Sequence, residues 1–298
     1  MSQLILVLGC HGQVASELEK VAAQEGRRVM LAGRDVLDLI TAEEPTILLD
    51  RYRPAAVINA AAFSAVDDAE RQPEPAFRLN GEVPTLYARA CAERGLPFVH
   101  FSSDYVFDGR KGAPYLEDDV RAPLNVYGRT KLQSEEGVAA EGDLWTVLRT
   151  SWLFSSFGWN FVKTMLRLAE TRDEISVVHD QIGRPTWAED CARVSLMAVD
   201  ALLEGRREAV GLFHLSGEGD ASWADLAEAA LTVSAETGGP TATVRRVTSD
   251  QYVTAAARPH DSRLDAGKLE RALGWRARPW REGLARSMAD MAAAPAPA

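Results

Sequence analysis

Cysteine is scarce in this 298-residue chain: Cys10, Cys91 and Cys191 are widely spaced and no C-x-x-C pair occurs. So odd and scattered a set suits neither a disulfide framework nor a zinc site, and points to a reducing cytoplasm. Basic charge is in the minority, with 33 Lys and Arg against 43 Asp and Glu and a net charge of −10. An acidic surface argues against a nucleic-acid partner, because phosphate backbones are held by clustered cations. A single basic pocket for a phosphorylated ligand remains compatible with it. No apolar run approaches the roughly 18 residues of a bilayer span, so no membrane partner is expected. The run Leu4–Leu8 has no basic start and stops at Gly9, unlike the long apolar stretch of a signal peptide. Internal repeats are lacking, and the one low-complexity stretch, Ala292 to Ala298, reads as a frayed tail.

What is present is ordinary globular material, 46% hydrophobic and 26% charged, enough for one large domain or two modest ones. In the first half, short apolar runs end at small or polar residues: Leu4–Leu8, Val29–Ala32, Ala56–Asn59, Phe98–Ser102 and Trp145–Arg149. Each reads as a strand buried on both faces. Helical patterns separate them: Gln13–Gln24, a segment entered through Pro73 and Pro75 and running towards Arg94, and one from near Leu124 that carries Tyr127 and Lys131. Regular alternation of this kind predicts an α/β fold with a parallel, doubly wound sheet. The second half is less regular. Helices are expected at Asn160–Thr171, Ala188–Leu203, Trp223–Thr237 and Arg281–Met291, and strands at Ile175–Val178, Leu212–Leu215 and Thr243–Val247. The division expected is 1–150 for a nucleotide-binding domain and 151–298 for a smaller C-terminal lobe over the ligand, with about 188–215 free to return to the sheet.

The first strand runs into Gly9-Cys10-His11-Gly12-Gln13-Val14-Ala15. In G-x-x-G-x-x-A between strand and helix, Gly9 permits the tight turn, Gly12 lets backbone approach a pyrophosphate, and Ala15 lets the helix pack closely. The helix N-terminus then offers free N–H groups and a positive dipole to phosphate. That reading is a Rossmann-type NAD(P) cradle; the alternative is a strand–helix turn with incidental glycines. After the second strand an acidic residue would favour NAD, but here stands Ala32-Gly33-Arg34-Asp35. Arg34 either holds a 2′-phosphate, favouring NADPH over NADH, or is a solvated arginine, and the two readings stand level. Asp38 and Leu39 are placed at the adenine. The small residues of Asn59-Ala60-Ala61-Ala62 leave room for a flat cofactor, with Ala62 and Ser64 towards the ribose or nicotinamide.

Tyr127 and Lys131 are four apart, so on a helix they share a face. A phenol with its ordinary pKa of about 10 exchanges protons poorly at neutral pH, and a neighbouring ammonium is expected to lower that value. Tyr127 then serves as a general acid towards a carbonyl oxygen. Alone the pair is a common surface accident. Ser102-Ser103-Asp104 follows the fourth strand at the ligand-binding edge of such a sheet, and Ser103 precedes Tyr127 by 24 residues. A serine hydroxyl there can bond both substrate carbonyl and tyrosine, although Ser and Asp are also ordinary turn formers. A glycine turn, Ser, Tyr and Lys in this order predict carbonyl/alcohol redox without a metal at the reacting carbon.

With these residues in hand, the chain resembles the dTDP-4-dehydrorhamnose reductases of the extended short-chain dehydrogenase/reductase superfamily, over residues 3 to about 291. The resemblance is carried by Gly12-Gln13-Val14, Asn59-Ala60-Ala61-Ala62, Ala65-Val66-Asp67, Ser103-Asp104-Tyr105-Val106-Phe107, Pro123-Leu124-Asn125-Val126-Tyr127-Gly128, Arg149-Thr150-Ser151-Trp152, Asn160-Phe161, Met165-Leu166, Asp180-Gln181, Pro185-Thr186, and Arg258-Pro259 with Ser262-Arg263-Leu264. It implies NAD(P)H-dependent reduction of the 4-keto group of a dTDP-4-keto-6-deoxy-L-hexose, by a monomer or homodimer. It implies Tyr127 as proton donor with Lys131 as partner, and Ser103 where threonine is usual. It places Gly12, Gln13, Val14, Ala62 and Ser64 at the cofactor; with Gly9, Arg34, Asp38 and Leu39 from the residue reading above, and with Phe63, Tyr127 and Lys131, these make the expected cofactor set. Ser103, Asp104 and Trp152 fall at the sugar nucleotide, with Arg258 and Arg263 towards its nucleotide end.

Three positions depart from the family pattern: Phe63 replaces a common histidine, Asp261 a common asparagine, and the acidic residue after the second strand is missing. They leave open a sister reductase of an antibiotic deoxysugar pathway, such as a dihydrostreptose synthase. A non-catalytic binding subunit, like the regulatory beta subunit of methionine adenosyltransferase, is a third reading, but binding alone has no need for an aligned Tyr and Lys. Some family members bind Mg2+ at a dimer interface through three carboxylates, which fall here at Glu17, Glu189 and Asp290. The alternative is a set of surface carboxylates. Trp152 aside, Trp159, Trp187 and Trp223 read as core or pocket wall.

Overall fold

The computed structural model describes residues 3–42, 44 and 46–293; the end of the low-complexity tail, 294–298, lies outside them. The first half of the chain runs β1 (Leu4–Leu8), α1 (Gln13–Gln24), β2 (Arg28–Ala32), α2 (Ile47–Tyr52), β3 (Ala56–Asn59), α3 (Val66–Arg71), α4 (Pro73–Phe77), α5 (Val83–Glu93), β4 (Phe98–Ser103), α6 (Val126–Ala139) and β5 (Trp145–Thr150). The second half adds β6 (Leu153–Phe154), α7 (Phe161–Ala169), β7 (Glu174–Val178), β8 (Ile182–Gly183), β9 (Thr186–Trp187), α8 (Ala188–Leu203), β10 (Gly211–Leu215), β11 (Ala221–Ser222), α9 (Trp223–Glu236), β12 (Thr243–Val247), α10 (Gly267–Leu273) and α11 (Trp280–Ala293).

Six strands make one parallel sheet in the order β10-β5-β4-β3-β1-β2. Alternate residues of each strand feed opposite faces, as period-two geometry demands. Ile5, Val7, Ile58, Val99, Phe101 and Leu148 point to a core shared with α1 and α8. Leu6, Leu8, Val57, Phe98 and Val147 point to another, shared with α2 and α5. Both faces are therefore covered, the arrangement that continuous apolar runs such as Leu4–Leu8 require. On α1 the buried set Val14, Leu18, Val21 and Ala22 recurs at helical spacing. Leu18 has no exposed surface, and truncating it to Ala should cost about 2–5 kcal/mol.

The expected strand β2 differs in its burial. It pairs only with β1 and lies at the sheet edge, so Arg28 is exposed and Val29, Met30 and Leu31 are half-buried. The apolar run shows that a strand forms but carries no information about its rank in the sheet. The long helix expected after Pro73 is likewise interrupted. Between α4 and α5 lies one π-helical turn, Arg78–Glu82, which turns Asn80 into the interior with no exposed surface.

Outside the sheet, β7 and β12 pair in parallel. Their buried residues join α7 and α9 around Met165, Ile175 and Val177, while Trp187, Leu226, Trp280 and Leu284 form a neighbouring cluster with α11.

Candidate active site

The chain leaves β1 towards β2 on one side and then crosses to β3 on the other. This reversal opens a crevice at the carboxyl ends of β1 and β3, the place where open parallel sheets take ligands. A cavity of about 440 Å³ lies there, lined by Gly9, Gly12, Arg34, Asp38, Leu39 and Ala62 among others. Gly9 has φ +101°, and a Cβ on it would stand 3.2 Å from the Ala61 nitrogen. Both facts reserve the position for glycine. A Cβ on Gly12, by contrast, would meet nothing within 4 Å, so the backbone faces open space. Gly12 caps α1 without any side-chain hydrogen bond, and no acidic residue stands in the first turn. The free N–H groups and dipole of this helix are thus available to an anion. Glycine backbone, helix terminus and cavity together fit a dinucleotide pyrophosphate.

The other positions expected at the cofactor are distributed around this cradle. Gln13 opens α1, and its Oε1 is buried without a partner among the described residues. The Val14 side chain turns into the core beneath. Phe63 packs against Ala69, Ala76 and Val126, and Ser64 is exposed beyond it. The Phe63 backbone is clasped by Asn80. Its N–H donates to Asn80 Oδ1 at 2.7 Å, and Asn80 Nδ2 donates to the Phe63 carbonyl at 3.1 Å and to Thr130 Oγ1 at 3.1 Å. Sequence reading missed Asn80, and its only signal was an amide in the middle of a helical pattern.

Ser103, Asp104, Tyr127 and Lys131 come together at the end of β4 and the first turns of α6. Asn125 caps α6 by accepting from the Gly128 N–H at 2.7 Å, while its own amide donates to the Ala257 carbonyl. Gly128 admits no side chain, because a Cβ there would lie 2.2 Å from the Tyr105 carbonyl oxygen. This close approach sets Tyr127 edge-on to Tyr105, ring centres 5.6 Å apart. The Lys131 ammonium lies 6.0 Å from the centre of the Tyr127 ring and donates to the Phe101 carbonyl at 2.9 Å. Ser103 Oγ donates to Asp104 Oδ1 at 2.7 Å. Ser102, by contrast, turns to Glu135, which also takes both ends of the buried Arg149 guanidinium at 2.7 Å.

The electrostatics of this group correct one expectation. Tyr127 was expected to be acidified by Lys131. In the protein alone its phenol is held above the ordinary value, first by burial and then by the Asp104 carboxylate, with a hydrogen bond to Ser103 in opposition. The physical reason is the burial of Tyr127 itself, against which Lys131, also desolvated, gives no relief. Burial brings its ammonium down to about 8, although Glu135 pulls the other way, and its proton is directed at Phe101. Asp104 is pushed up to about 6, by burial first, against hydrogen bonds from Ser103 and Ser262.

Trp152 stands next to this group with φ +49°. A non-glycine residue in that region costs about 1–2 kcal/mol and persists only where its surroundings impose it. Its Nε1 donates to Ser262 Oγ at 3.2 Å, so Ser262 bridges Trp152 and Asp104. Arg258 pairs with both oxygens of Asp67, at 2.7 and 3.2 Å. Arg263 is engaged elsewhere, with Asp261 at 2.7 Å and Asp220 at 2.8 Å.

The three carboxylates expected at a magnesium ion do converge, but upon an internal cation. Lys20 Nζ lies 3.4 Å from Glu17, 2.9 Å from Glu189 and 2.5 Å from Asp290. Ser155 donates to the other Glu17 oxygen at 2.6 Å. Among the described residues no three His, Cys, Asp or Glu side chains are arranged to hold a metal ion. In the single chain the Lys20 ammonium stands at the centre of these carboxylates. Sequence shows the carboxylates and not the lysine at their focus.

Residues 2–293 match the model of the RmlD substrate binding domain. A dTDP-4-dehydrorhamnose reductase of Sinorhizobium fredii is 41% identical over 283 residues, 95% of each chain. That of Escherichia coli K12 is 36% identical over 292 residues, 96% of this chain and 97% of the relative. Among solved structures, a dTDP-4-dehydrorhamnose reductase of Clostridium acetobutylicum superposes with a TM-score of 0.89 at 35% identity, covering 97% and 99% of the two chains. The reductase of Bacillus anthracis, solved in complex with NADP, gives 0.88 at 31% identity, covering 97% and 100%. The resemblance read from the motifs thus holds over residues 2–293, and the chain belongs to the RmlD substrate binding domain family, with the dTDP-4-dehydrorhamnose reductases as its relatives.

Proposed function

We propose that the chain reduces the 4-keto group of a dTDP-4-keto-6-deoxy-L-hexose, dTDP-4-dehydro-L-rhamnose giving dTDP-L-rhamnose, in deoxysugar biosynthesis. The observation that carries this reading is the convergence of Ser103, Tyr127 and Lys131 at the end of β4, in a sheet whose switch point carries a glycine-lined cavity. Residues 1–150 supply the cradle, and 151–298 mainly cover the sugar nucleotide. Gly9, Gly12 and the first turn of α1 hold the pyrophosphate. Asp38 and Leu39 line the adenosine end, Arg34 holds a 2′-phosphate and so favours NADPH, and NADH fits the same cradle without that contact. Asp104, Trp152 and Ser103 take the sugar, with Arg258 towards the nucleotide.

When bound, the reduced nicotinamide supplies the hydride for the carbonyl carbon. The residues of the chain handle the proton. Tyr127 retains its phenolic proton at neutral pH, because burial and Asp104 hold its pKa up. The oxygen of a ketone becoming an alkoxide is a far stronger base than the phenolate, so the proton passes from Tyr127 to that oxygen. Ser103 bonds the same oxygen and orients it. Lys131, at about 8, is mostly an ammonium at pH 7 and stabilises the phenolate left behind. It also bonds the nicotinamide ribose hydroxyls.

Incubation with dTDP-4-keto-L-rhamnose and NADPH should give cofactor oxidation and dTDP-L-rhamnose by NMR. No turnover overturns the reading. Phe63 and Asp261 favour a second reading, a sister reductase that yields a different dTDP-sugar. Asp261 takes Arg263 through both carboxylate oxygens, where an amide offers only one acceptor. The same NMR experiment separates the two by the product formed.

A further inference from the structure

We propose that Trp223 is a positioning residue of the substrate site, acting through Trp152 to fix the sugar nucleotide above Asp104; this rests on the reductase reading. Trp152 and Trp223 stack at 3.7 Å between ring centres with an interplanar angle of 7°. Both are half-buried, so the stack is the edge of a core and not its interior. Trp152 does not choose its own conformation. Its backbone lies in the left-handed region, which an indole side chain does nothing to stabilise. Three neighbours define where its ring stands: Trp223 stacked on it, Ser262 on its Nε1, and Gly183 close over its Cε2. A Cβ on Gly183 would fall 2.4 Å from the Trp152 ring, so glycine is what leaves room for the indole.

Trp223 is in turn fixed on rigid backbone. It opens α9 behind Ser222, whose side chain and that of Asp225 form a reciprocal capping box. Its Nε1 donates to Gln181 Oε1 at 3.2 Å, and Gln181 Nε2 donates to Ser249 Oγ at 3.0 Å. Phe161 also packs on it, ring centres 4.7 Å apart and tilted by 53°. The position of the Trp152 ring is therefore set from α9, while the Ser262 bridge carries it to Asp104 in the reacting group. A fault at Trp223 displaces the surface that the sugar rests on and leaves Tyr127 and Lys131 where they are.

The test is steady-state kinetics of Trp223→Leu and Trp223→Phe with dTDP-4-keto-L-rhamnose and NADPH, with dTDP-L-rhamnose binding followed by tryptophan fluorescence. Leu fills volume without a flat face; Phe keeps one. Trp223→Leu should raise the sugar-nucleotide KM and Kd about three- to tenfold, the worth of one aromatic stack. The NADPH KM and kcat should move less than about twofold on the same scale, and Trp223→Phe should recover most of the loss. Should Trp223→Leu fail to fold, Gly183→Ala crowds the same indole at its Cε2 and should give the same split. Unchanged sugar-nucleotide KM and Kd in these variants, or NADPH KM rising in step, overturns the proposal while the reductase reading stands. A wild-type protein that neither turns over nor binds the dTDP-sugar overturns both.

Discussion

The Lys131 ammonium donates to the Phe101 carbonyl oxygen at 2.9 Å while lying 6.0 Å from the centre of the Tyr127 ring. One hydrogen bond thus ties α6 to β4 beneath the phenol. The lysine is almost wholly buried, with Glu135 the carboxylate that sustains its charge. A fixed, desolvated cation at this point is costly for folding and useful for chemistry.

That cost has a measurable pH dependence. The Lys131 pKa is about 8 in the folded chain and near 10.5 ordinarily. Between those values the unfolded chain binds the additional proton, so stability rises with pH across the window. Below pH 8 both states are protonated and the folded state carries the whole desolvation cost. Lys131→Met should therefore be more stable than wild type at pH 7 by on the order of 1–3 kcal/mol, seen as a Tm several degrees higher. The gap should narrow by pH 10, and reductase activity should be lost. A lower Tm for the variant at pH 7 contradicts this.

Lys20 holds three carboxylates that repel one another without it. Glu17 has no exposed surface, and its carboxyl is held up chiefly by burial. Lys20→Ala should lower stability by about 1–3 kcal/mol at pH 7, less than a fully buried pair because the lysine and Asp290 are partly solvated. Acidification protonates Glu17 first and should shrink the loss. Thermal denaturation of wild type should be insensitive to EDTA and to millimolar Mg2+, whereas the variant should be stabilised by Mg2+ in the vacated cluster. A Tm drop of wild type on adding EDTA would contradict this and point to a bound Mg2+.

Arg34 lines the cavity together with Asp35 and Asp38. Replacing it by Ala removes the charge assigned to a 2′-phosphate. The KM for NADPH should rise about tenfold or more, as for the loss of a charge-assisted hydrogen bond, with little change for NADH. Equal effects on both cofactors would show that Arg34 is only a solvated side chain.

The parts legible in the sequence are those fixed by local pattern. The runs Leu4–Leu8 and Ala56–Asn59 are strands with the expected ends, and Gln13–Gln24 is a helix with them. Ser103, Tyr127 and Lys131, which the fold brings together, stand out in the sequence by their order and spacing. Relations made by the tertiary fold were not legible. Lys20 meets Asp290 across 270 residues, and Trp152 meets Ser262 across 110. The edge position of β2 depends on strand order, which its own five residues do not encode. Asn80 reaches Phe63 only because a π-turn rotates it inward, and no residue in Arg78–Glu82 announces that turn. Burial reversed the sign at Tyr127, since sequence shows the neighbouring charge but not its desolvation.

The proton is the point on which everything turns, and Tyr127→Phe isolates it, since it removes one oxygen and keeps the ring packed against Tyr105. The measurement is single-turnover reduction of dTDP-4-keto-L-rhamnose by wild type and variant, with NADPH affinity determined in parallel. The expected result is a rate lower by about 10²–10⁴-fold, the contribution of a general acid, with NADPH affinity within about twofold. A variant that reduces the ketone within about tenfold of the wild-type rate contradicts Tyr127 as the proton donor.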